Sequence, residues 1–249
     1  MLTLGTRLYA LGAIALGAVG LVWGDFALVW QPVAAGVPGR TLLAYVFAAA
    51  LLLGGLALNY RATAARGAAT LCALFVLVVV LLHIPRVLRH PAVFGAWSGL
   101  AEQLALAAGG WVAYQLCSEP RGQAEPRNLR LGLWTFAVCL IIFGGAHFFY
   151  LDETAALVPY WLPPGQRFWA WATGFAHIAA GFALLSGMQA RLAAILITIM
   201  FASFSVLIHI PLLLADPRSH LNWVMNGMNL ALTGSAWLMA NALARRPRS

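Results

Sequence analysis

The amino-acid sequence predicts an all-α integral membrane protein with eight transmembrane helices, arranged as two tandem four-helix bundles that enter the membrane in the same sense. Three observations support this fold class. The 249-residue chain is 62% hydrophobic and only 9% charged, whereas soluble globular domains carry about 25% charged residues. Eight long apolar stretches follow one another along the chain. The motif His-Ile-Pro at residues 83–85 recurs 126 residues later, at 209–211.

Each predicted span is long enough to cross a lipid bilayer. The hydrocarbon layer is roughly 30 Å thick, so a helix needs about 20 mainly apolar residues. Long runs of this kind exclude a β-barrel, whose short strands alternate between apolar and polar residues. The first run follows Arg7 as a secretory signal would, but it is too long for a signal core, so we assign it as a helix. In chain order, the predicted spans are residues 8–30, 41–60, 67–84, 95–116, 131–150, 168–186, 192–214 and 222–243.

The spans belong to a duplicated unit. From His83 to Ala113, ten of thirty-one residues are identical to the residue 126 positions further on, and the matches include two prolines and two tryptophans. Earlier segments align with small insertions, for example 17–25 with 144–152. Because each half holds four spans, an even number, we expect a pseudo-two-fold axis along the membrane normal. Small residues at matching positions, such as Gly55 and Gly181, predict close helix packing.

This duplication divides the chain into three regions. Residues 1–117 form the first four-helix repeat, residues 118–130 form a polar cytoplasmic linker, and residues 131–249 form the second repeat.

The basic residues indicate how the chain is oriented. All fifteen are arginines, and in an eight-span topology ten of them fall on one side of the membrane and five on the other. The positive-inside rule then puts both termini in the cytoplasm, in a bacterial-type cytoplasmic (inner) membrane. We attribute the net charge of +8 to this topology and to attraction by anionic lipids, not to nucleic-acid binding. The larger group is Arg7, Arg61, Arg66, Arg121, Arg127, Arg130, Arg191, Arg245, Arg246 and Arg248.

Each predicted helix of the second repeat carries one polar side chain in its extracytoplasmic half. Such groups are costly in a bilayer unless they are paired or hydrated, so they are candidates for ligand binding or proton handling. At 1.5 Å per residue, His177 lies near the midplane and His147 and His209 lie closer to the surface. The aligned positions in the first repeat are mostly apolar, so the second repeat is predicted to hold the more elaborate polar site. The candidates are His147, His177, His209 and Asn226, aligned with Gly20, Leu51, His83 and Leu100.

The first repeat carries a secondary polar pair, His83 and Glu102. They lie on consecutive helices joined by a short loop, so we expect them to face each other. A structural alternative stays open for the histidines. The proline that follows each His-Ile removes a backbone N–H, which is expected to end the third span and to kink the seventh, and His83 and His209 then serve as donors to a freed carbonyl. In that interpretation His147 is hydrated at the interface.

Three motifs follow one another in the second repeat: Gly-Gly-Ala-His-Phe at 144–148, Leu-Val-Pro-Tyr-Trp-Leu-Pro at 157–163, and Thr-Gly-Phe-Ala-His at 173–177. Together they resemble the DoxX-like membrane protein family, over residues 131–243. The resemblance implies a compact four-helix bundle and, as in some members, an association with thiosulfate:quinone oxidoreductases or redox-stress complexes. His177 stands where the family commonly has glutamate, so any role of that acid is altered here.

We expect a subunit that binds a quinone or another small lipophilic ligand in a membrane redox system. The sequence shows no nucleophile–base pair, flavin fingerprint or phosphate loop, so we expect a subunit of a membrane oxidoreductase, with a redox partner protein, and not a self-sufficient enzyme. The cofactor stays open: a quinone is one candidate, and a haem between His147 and His209, which lie at similar heights, is not specified by their spacing. No metal site is expected, because Cys72, Cys117 and Cys139 are scattered.

Two alternative functions stay open. A small-solute transporter needs a hydrated path, for which Thr198, Ser203 and Ser205 are the available side chains. A membrane scaffold needs only that the polar residues fix helix packing while the protein docks lipid or an enzyme. The sequence does not specify the ligand or the oligomeric state.

Overall fold

The computed structural model describes residues 2–118 and 126–244, and these residues form helices and loops without any strand. Nine helices are present in this part of the chain, and a 3₁₀ turn, Leu28–Trp30, lies between the first two. In chain order they are α1 (Leu4–Trp23), α2 (Arg40–Asn59), α3 (Ala64–Arg89), α4 (Phe94–Ser118), α5 (Pro126–Phe149), α6 (Leu151–Leu157), α7 (Gln166–Ser186), α8 (Ala190–Ala215) and α9 (His220–Ala244).

Six of the described helices are long and apolar enough to cross a membrane, namely α1, α2, α3, α5, α7 and α8. Helices α4 and α9 are not among the six, although each has 25 residues and a length of about 37 Å. Both are rich in small and polar residues, and most of their side chains are buried against neighbouring helices. A helix enclosed by protein does not need the apolar surface that lipid requires, which explains their lower hydropathy.

The two enclosed helices lie beside each other in the middle of the bundle. Helix α1 packs against α2 and α9, and helix α5 packs against α7 and α4. The first long helix of each half therefore packs on the last helix of the other half. This packing of helices from different halves joins the two halves through buried contacts.

Matching close contacts occur at positions 126 or 127 residues apart. A Cβ atom at Gly55 would lie 2.8 Å from the carbonyl oxygen of Ala10, and one at Gly181 would lie 2.8 Å from that of Ala137. Any side chain at either glycine would push the helices apart. Gly55 and Gly181 thus serve the packing role that the sequence predicts.

A π-helical turn precedes the proline in both α3 and α8. In α3 the turn is Val79–His83, and the N–H of Ile84 donates to the carbonyl of Val79. In α8 the turn is Ser205–His209, and the N–H of Ile210 donates to the carbonyl of Ser205. The extra residue in each turn lets the helix continue beyond the proline, to Arg89 and Ala215. The prediction that a proline ends the third span at this point is therefore wrong.

Two predicted boundaries also differ from the structure. Helix α1 ends at Trp23 and not at Trp30, because Gly24 adopts a left-handed conformation with φ of 61° and turns the chain inward. Helix α5 begins at Pro126, inside the predicted linker, since the fixed φ of proline suits a first helical turn. Residues 119–125 of the linker lie outside the described residues, as do the arginines at 121, 245, 246 and 248.

Candidate functional site

A cavity of about 760 Å³ lies within the second half of the chain. It occupies the end of the bundle that carries the connections 24–39, 90–93, 150–165 and 216–219, which we call the loop end. Helices α5, α6, α7, α8 and α9 form its walls, and Trp30 and Glu102 enter from the first half. The pocket at the corresponding place in the first half, beside Gly20 and Leu51, measures only about 10 Å³.

Two of the predicted site residues, His147 and His209, line this cavity. His147 lies near the end of α5, and its Nδ1 lies 2.9 Å from the carbonyl oxygen of Phe143 in the same helix. A carbonyl can only accept, so the Nδ1–H group donates and Nε2 of the neutral ring remains an acceptor. The Nδ1 atom of His209 is buried and has no partner among the described residues.

His177 lies next to His147, with 4.9 Å between the ring centroids. Its side chain is 1% exposed, and its Nδ1–H donates to the carbonyl oxygen of Thr173 at 2.8 Å. Phe143 and Phe201 contact the same ring. His177 therefore faces protein and not lipid, and it supports the His147 ring.

Asn226 plays a different part from the one the sequence suggests. Its side-chain amide donates to the carbonyl oxygens of His209 at 2.8 Å and Asn222 at 2.9 Å, so it joins α9 to α8. One turn further along α9, Asn229 lines the cavity instead. Its amide donates to the carbonyl oxygen of Phe201 at 2.8 Å and to another α8 side chain.

Trp30 connects the two polar residues of the first half. Its indole N–H donates to a carboxylate oxygen of Glu102, and its backbone carbonyl accepts from Nε2 of His83 at 3.0 Å. Within the described residues no ion pair joins His83 to Glu102 directly. The predicted face-to-face pair is thus replaced by two contacts with Trp30, because the end of α1 turns Trp30 between them. His83 is fully buried, whereas Glu102 lines the cavity.

The remaining polar wall residues are hydroxyl groups. Thr173 donates to the carbonyl oxygen of Trp169 at 2.7 Å, and Ser203 donates to that of Met200 at 2.7 Å. Thr154 on α6 has no side-chain hydrogen bond within the described residues. Apolar side chains from α6, the following loop and α8 supply most of the wall between these groups.

Sequence reasoning missed the contribution of the first half to this cavity. The sequence predicts Glu102 in a separate pair with His83 and Trp30 at the end of a span, whereas both line the cavity. No pattern in one chain shows that the last helix of the first half will lie beside the second half. Asn229 had a detectable signal, since it lies one helical turn after Asn226 on the same predicted span.

In the described residues no group of three or more His, Cys, Asp or Glu side chains is placed to hold a metal ion. The polar side chains of the cavity wall are imidazole, carboxylate, amide and hydroxyl groups in an apolar surround.

Comparisons with known proteins give one match. Residues 136–240 are similar to a family described as a domain of unknown function, DUF8561. This segment includes most of α5 and all of α6 to α8, and it therefore supplies most of the cavity wall but not Trp30 or Glu102. No curated protein matches the chain. No solved structure matches it either.

Proposed function

We propose that the protein spans the membrane with eight helices in two repeats, α1 to α4 and α5 with α7 to α9. Helices α4 and α9 are long enough to span, and burial between other helices explains their lower hydropathy. The π turns at 79–83 and 205–209 and the glycine contacts at 55 and 181 support a repeat of about 126 residues. In this proposal the repeats are interlocked, since each first helix packs on the last helix of the other repeat.

The functional proposal is based on the size and composition of the cavity. The protein binds a quinone or a similar small lipophilic ligand as a subunit of a membrane redox system. Ligand sites are typically about 300–1,000 Å³ and mainly apolar, with a few polar groups that orient the ligand. The cavity of about 760 Å³ has this size and composition, and His147, His209, Glu102 and Asn229 supply the polar groups.

The polar groups also suit ligand chemistry that moves protons. A quinone gains two protons when it is reduced, and imidazole and carboxylate side chains exchange protons readily. His147, His209 and Glu102 line the same cavity and so have access to one bound headgroup. Electrons come from a partner protein in this proposal, which the resemblance of the second half to DoxX-like proteins also favours.

The arginine distribution supports a cytoplasmic location for both termini and an extracytoplasmic location for the loop end. The cavity then lies in the outer half of a bacterial inner membrane. A reporter enzyme that is active only in the cytoplasm, fused to the C-terminus, is expected to be active. An inactive fusion, with the reporter active when fused at residues 150–165, contradicts this orientation.

Ligand binding tests the functional proposal directly. The protein in lipid nanodiscs is titrated with a short-chain ubiquinone while tryptophan fluorescence is followed, because Trp30 and Trp169 line the cavity and quinones quench indole emission. Ala176 also lines the cavity, so Ala176→Phe is expected to weaken binding at least tenfold by occupying the ligand space.

Ala179→Phe is the matched control on the same helix. Ala179 lies outside the cavity lining, on the face that carries the exposed Phe175 and Phe182, so the affinity should not change. Absence of saturable binding, or equal affinity for Ala176→Phe and the unaltered protein, contradicts the proposal. Organic extraction of the purified protein and analysis of the extract show whether a quinone accompanies it.

A further inference from the structure

We infer that the cavity selects a ligand that donates hydrogen bonds, which for a quinone ligand is the reduced, hydroxyl-bearing quinol. This inference rests on the proposed function and concerns which form of the ligand the same site prefers. Most polar groups of the cavity wall direct their hydrogen atoms to other groups of the protein and not into the cavity.

The two hydroxyl groups on α7 and α8 already use their only hydrogen. Thr173 donates to the carbonyl of Trp169 at 2.7 Å, and Ser203 donates to the carbonyl of Met200 at 2.7 Å. Each carbonyl lies in the same helix, so these bonds form whether or not a ligand is present. What each hydroxyl offers to the cavity is a lone pair on oxygen.

The side-chain N–H groups of Asn229 and His147 are also used in hydrogen bonds within the protein. Both N–H groups of Asn229 are engaged, with the carbonyl oxygen of Phe201 at 2.8 Å and the hydroxyl of Ser205 at 2.7 Å, which leaves Oδ1 as an acceptor. The Nδ1–H of His147 is engaged with the carbonyl of Phe143, which leaves Nε2 as an acceptor. Neither side chain has a spare hydrogen for a ligand carbonyl.

Glu102 adds a further acceptor. One carboxylate oxygen accepts from the indole of Trp30, and the other has no hydrogen-bond partner in the described part of the chain. Only Thr154 and a single imidazole N–H of His209 keep a hydrogen available to a ligand. With Glu102 ionised, five wall side chains therefore present only acceptors, and two, Thr154 and His209, present a donor as well as an acceptor.

An oxidised quinone is poorly matched to this wall. Its two carbonyl oxygens only accept hydrogen bonds, so most of the wall would meet them with lone pairs, and polar groups left unpaired on burial are costly. A quinol presents two O–H donors to the same groups. Since these bonds form with the quinol and not with the quinone, we expect at least tenfold tighter binding of the quinol.

This preference has an electrochemical consequence. A site that binds the reduced form tenfold more tightly raises the potential of the bound two-electron couple by about 30 mV. Bound ligand is then held as quinol under conditions in which free ligand is partly oxidised.

The test uses three ligands with one carbon skeleton: duroquinone, duroquinol under anaerobic conditions, and the dimethyl ether of duroquinol, which has no O–H group. Dissociation constants are measured for the protein in nanodiscs. We expect duroquinol to bind at least tenfold more tightly than duroquinone, with the ether similar to duroquinone. Equal or tighter binding of duroquinone overturns the inference and leaves the proposed function standing. Failure of all three ligands to bind overturns both.

Two substitutions test whether the acceptor atoms of Ser203 and His147 cause the preference for the quinol. Ser203→Ala and His147→Leu each remove one acceptor whose own hydrogen bond lies within its helix, so the fold should be retained. Together they are expected to reduce the quinol-to-quinone affinity ratio at least threefold. Ser186→Ala is the matched control, because Ser186 also bonds a carbonyl three residues earlier but lies at the opposite end of α7 from the cavity. A ratio unchanged in the double variant, or equally reduced in Ser186→Ala, contradicts the assignment.

Discussion

Replacement of Trp30 by phenylalanine is expected to destabilise the protein through Glu102. The indole N–H is the hydrogen-bond donor to this carboxyl group, and phenylalanine keeps an aromatic ring but has no N–H. A hydrogen bond to a charged group contributes about 1.5–3 kcal/mol, and one to a neutral group about 0.5–1.5 kcal/mol. We expect Trp30→Phe to lower the free energy of unfolding by about 2 kcal/mol, which corresponds to a factor of about 30 in the unfolding equilibrium.

The measurement is unfolding in mixed micelles with increasing denaturing detergent, followed by far-ultraviolet circular dichroism so that the loss of a tryptophan does not affect the signal. Trp97→Phe is the control, because its indole donates to the carbonyl of Pro91 at a 39% exposed position where water replaces the donor. Trp97→Phe should lower the free energy of unfolding by less than about 0.5 kcal/mol. Glu102→Met introduces the residue found at the aligned position 228 and removes the acceptor. In the Glu102→Met protein, Trp30→Phe should lower the free energy of unfolding by at least about 1 kcal/mol less than it does in the unaltered protein. Strictly additive effects of the two substitutions refute the reasoning.

Three further predictions concern packing and helix connection. Gly234→Ala places a Cβ 2.1 Å from the backbone nitrogen of Tyr9, so it should separate α9 from α1 and lower the free energy of unfolding by about 1–3 kcal/mol. Gly36→Ala is the control, because a Cβ there has nothing within 4 Å, and it should lower that free energy by less than about 0.5 kcal/mol. Unfolding in denaturing detergent measures both. Tyr9→Phe removes a fully buried hydroxyl that donates to a carbonyl of α4 at 2.8 Å, and the same assay should show a loss of about 1 kcal/mol. Asn226→Leu leaves the carbonyl of His209 without its donor and should both lower stability by about 1–2 kcal/mol and weaken quinone binding.

Much of the helical architecture follows from the sequence, because apolar run length is set directly by bilayer thickness. All eight predicted spans overlap a long helix of the described structure. The end of α1 was missed because the residues after Gly24 are as apolar as a span, and only tertiary packing of Trp30 shows that they turn inward. The π turns were missed because the same residues form a regular α-helix in most contexts, and hydropathy does not register one extra residue.

The site is partly predictable for a related reason. Burying a histidine in a membrane helix is costly, so His147, His177 and His209 marked the half of the chain that holds the cavity. Depth along a helix follows from residue number, but rotation about its axis does not. Asn226 and Asn229 lie three residues apart, and only the structure shows that the second, not the first, reaches the cavity.

At the loop end the histidines of the two His-Ile-Pro motifs have different surroundings. This difference originates in the connections between helices and not in the helices themselves. Both halves have the His-Ile-Pro motif and the π turn, yet Nε2 of His83 bonds the carbonyl of Trp30, whereas neither ring nitrogen of His209 has a hydrogen bond in the described chain. Residues 27–29 and 156–158 are both Ala-Leu-Val, and in this register of the proposed repeats Trp30 corresponds to Pro159, which also lines the cavity. The 24–39 connection thus supplies an acceptor to the histidine of its half, whereas Pro159 of the 150–165 connection lines the cavity and forms no hydrogen bond with His209 in the described chain. Because the helical motif is the same in both halves, the 24–39 and 150–165 connections account for the different surroundings of the two histidines.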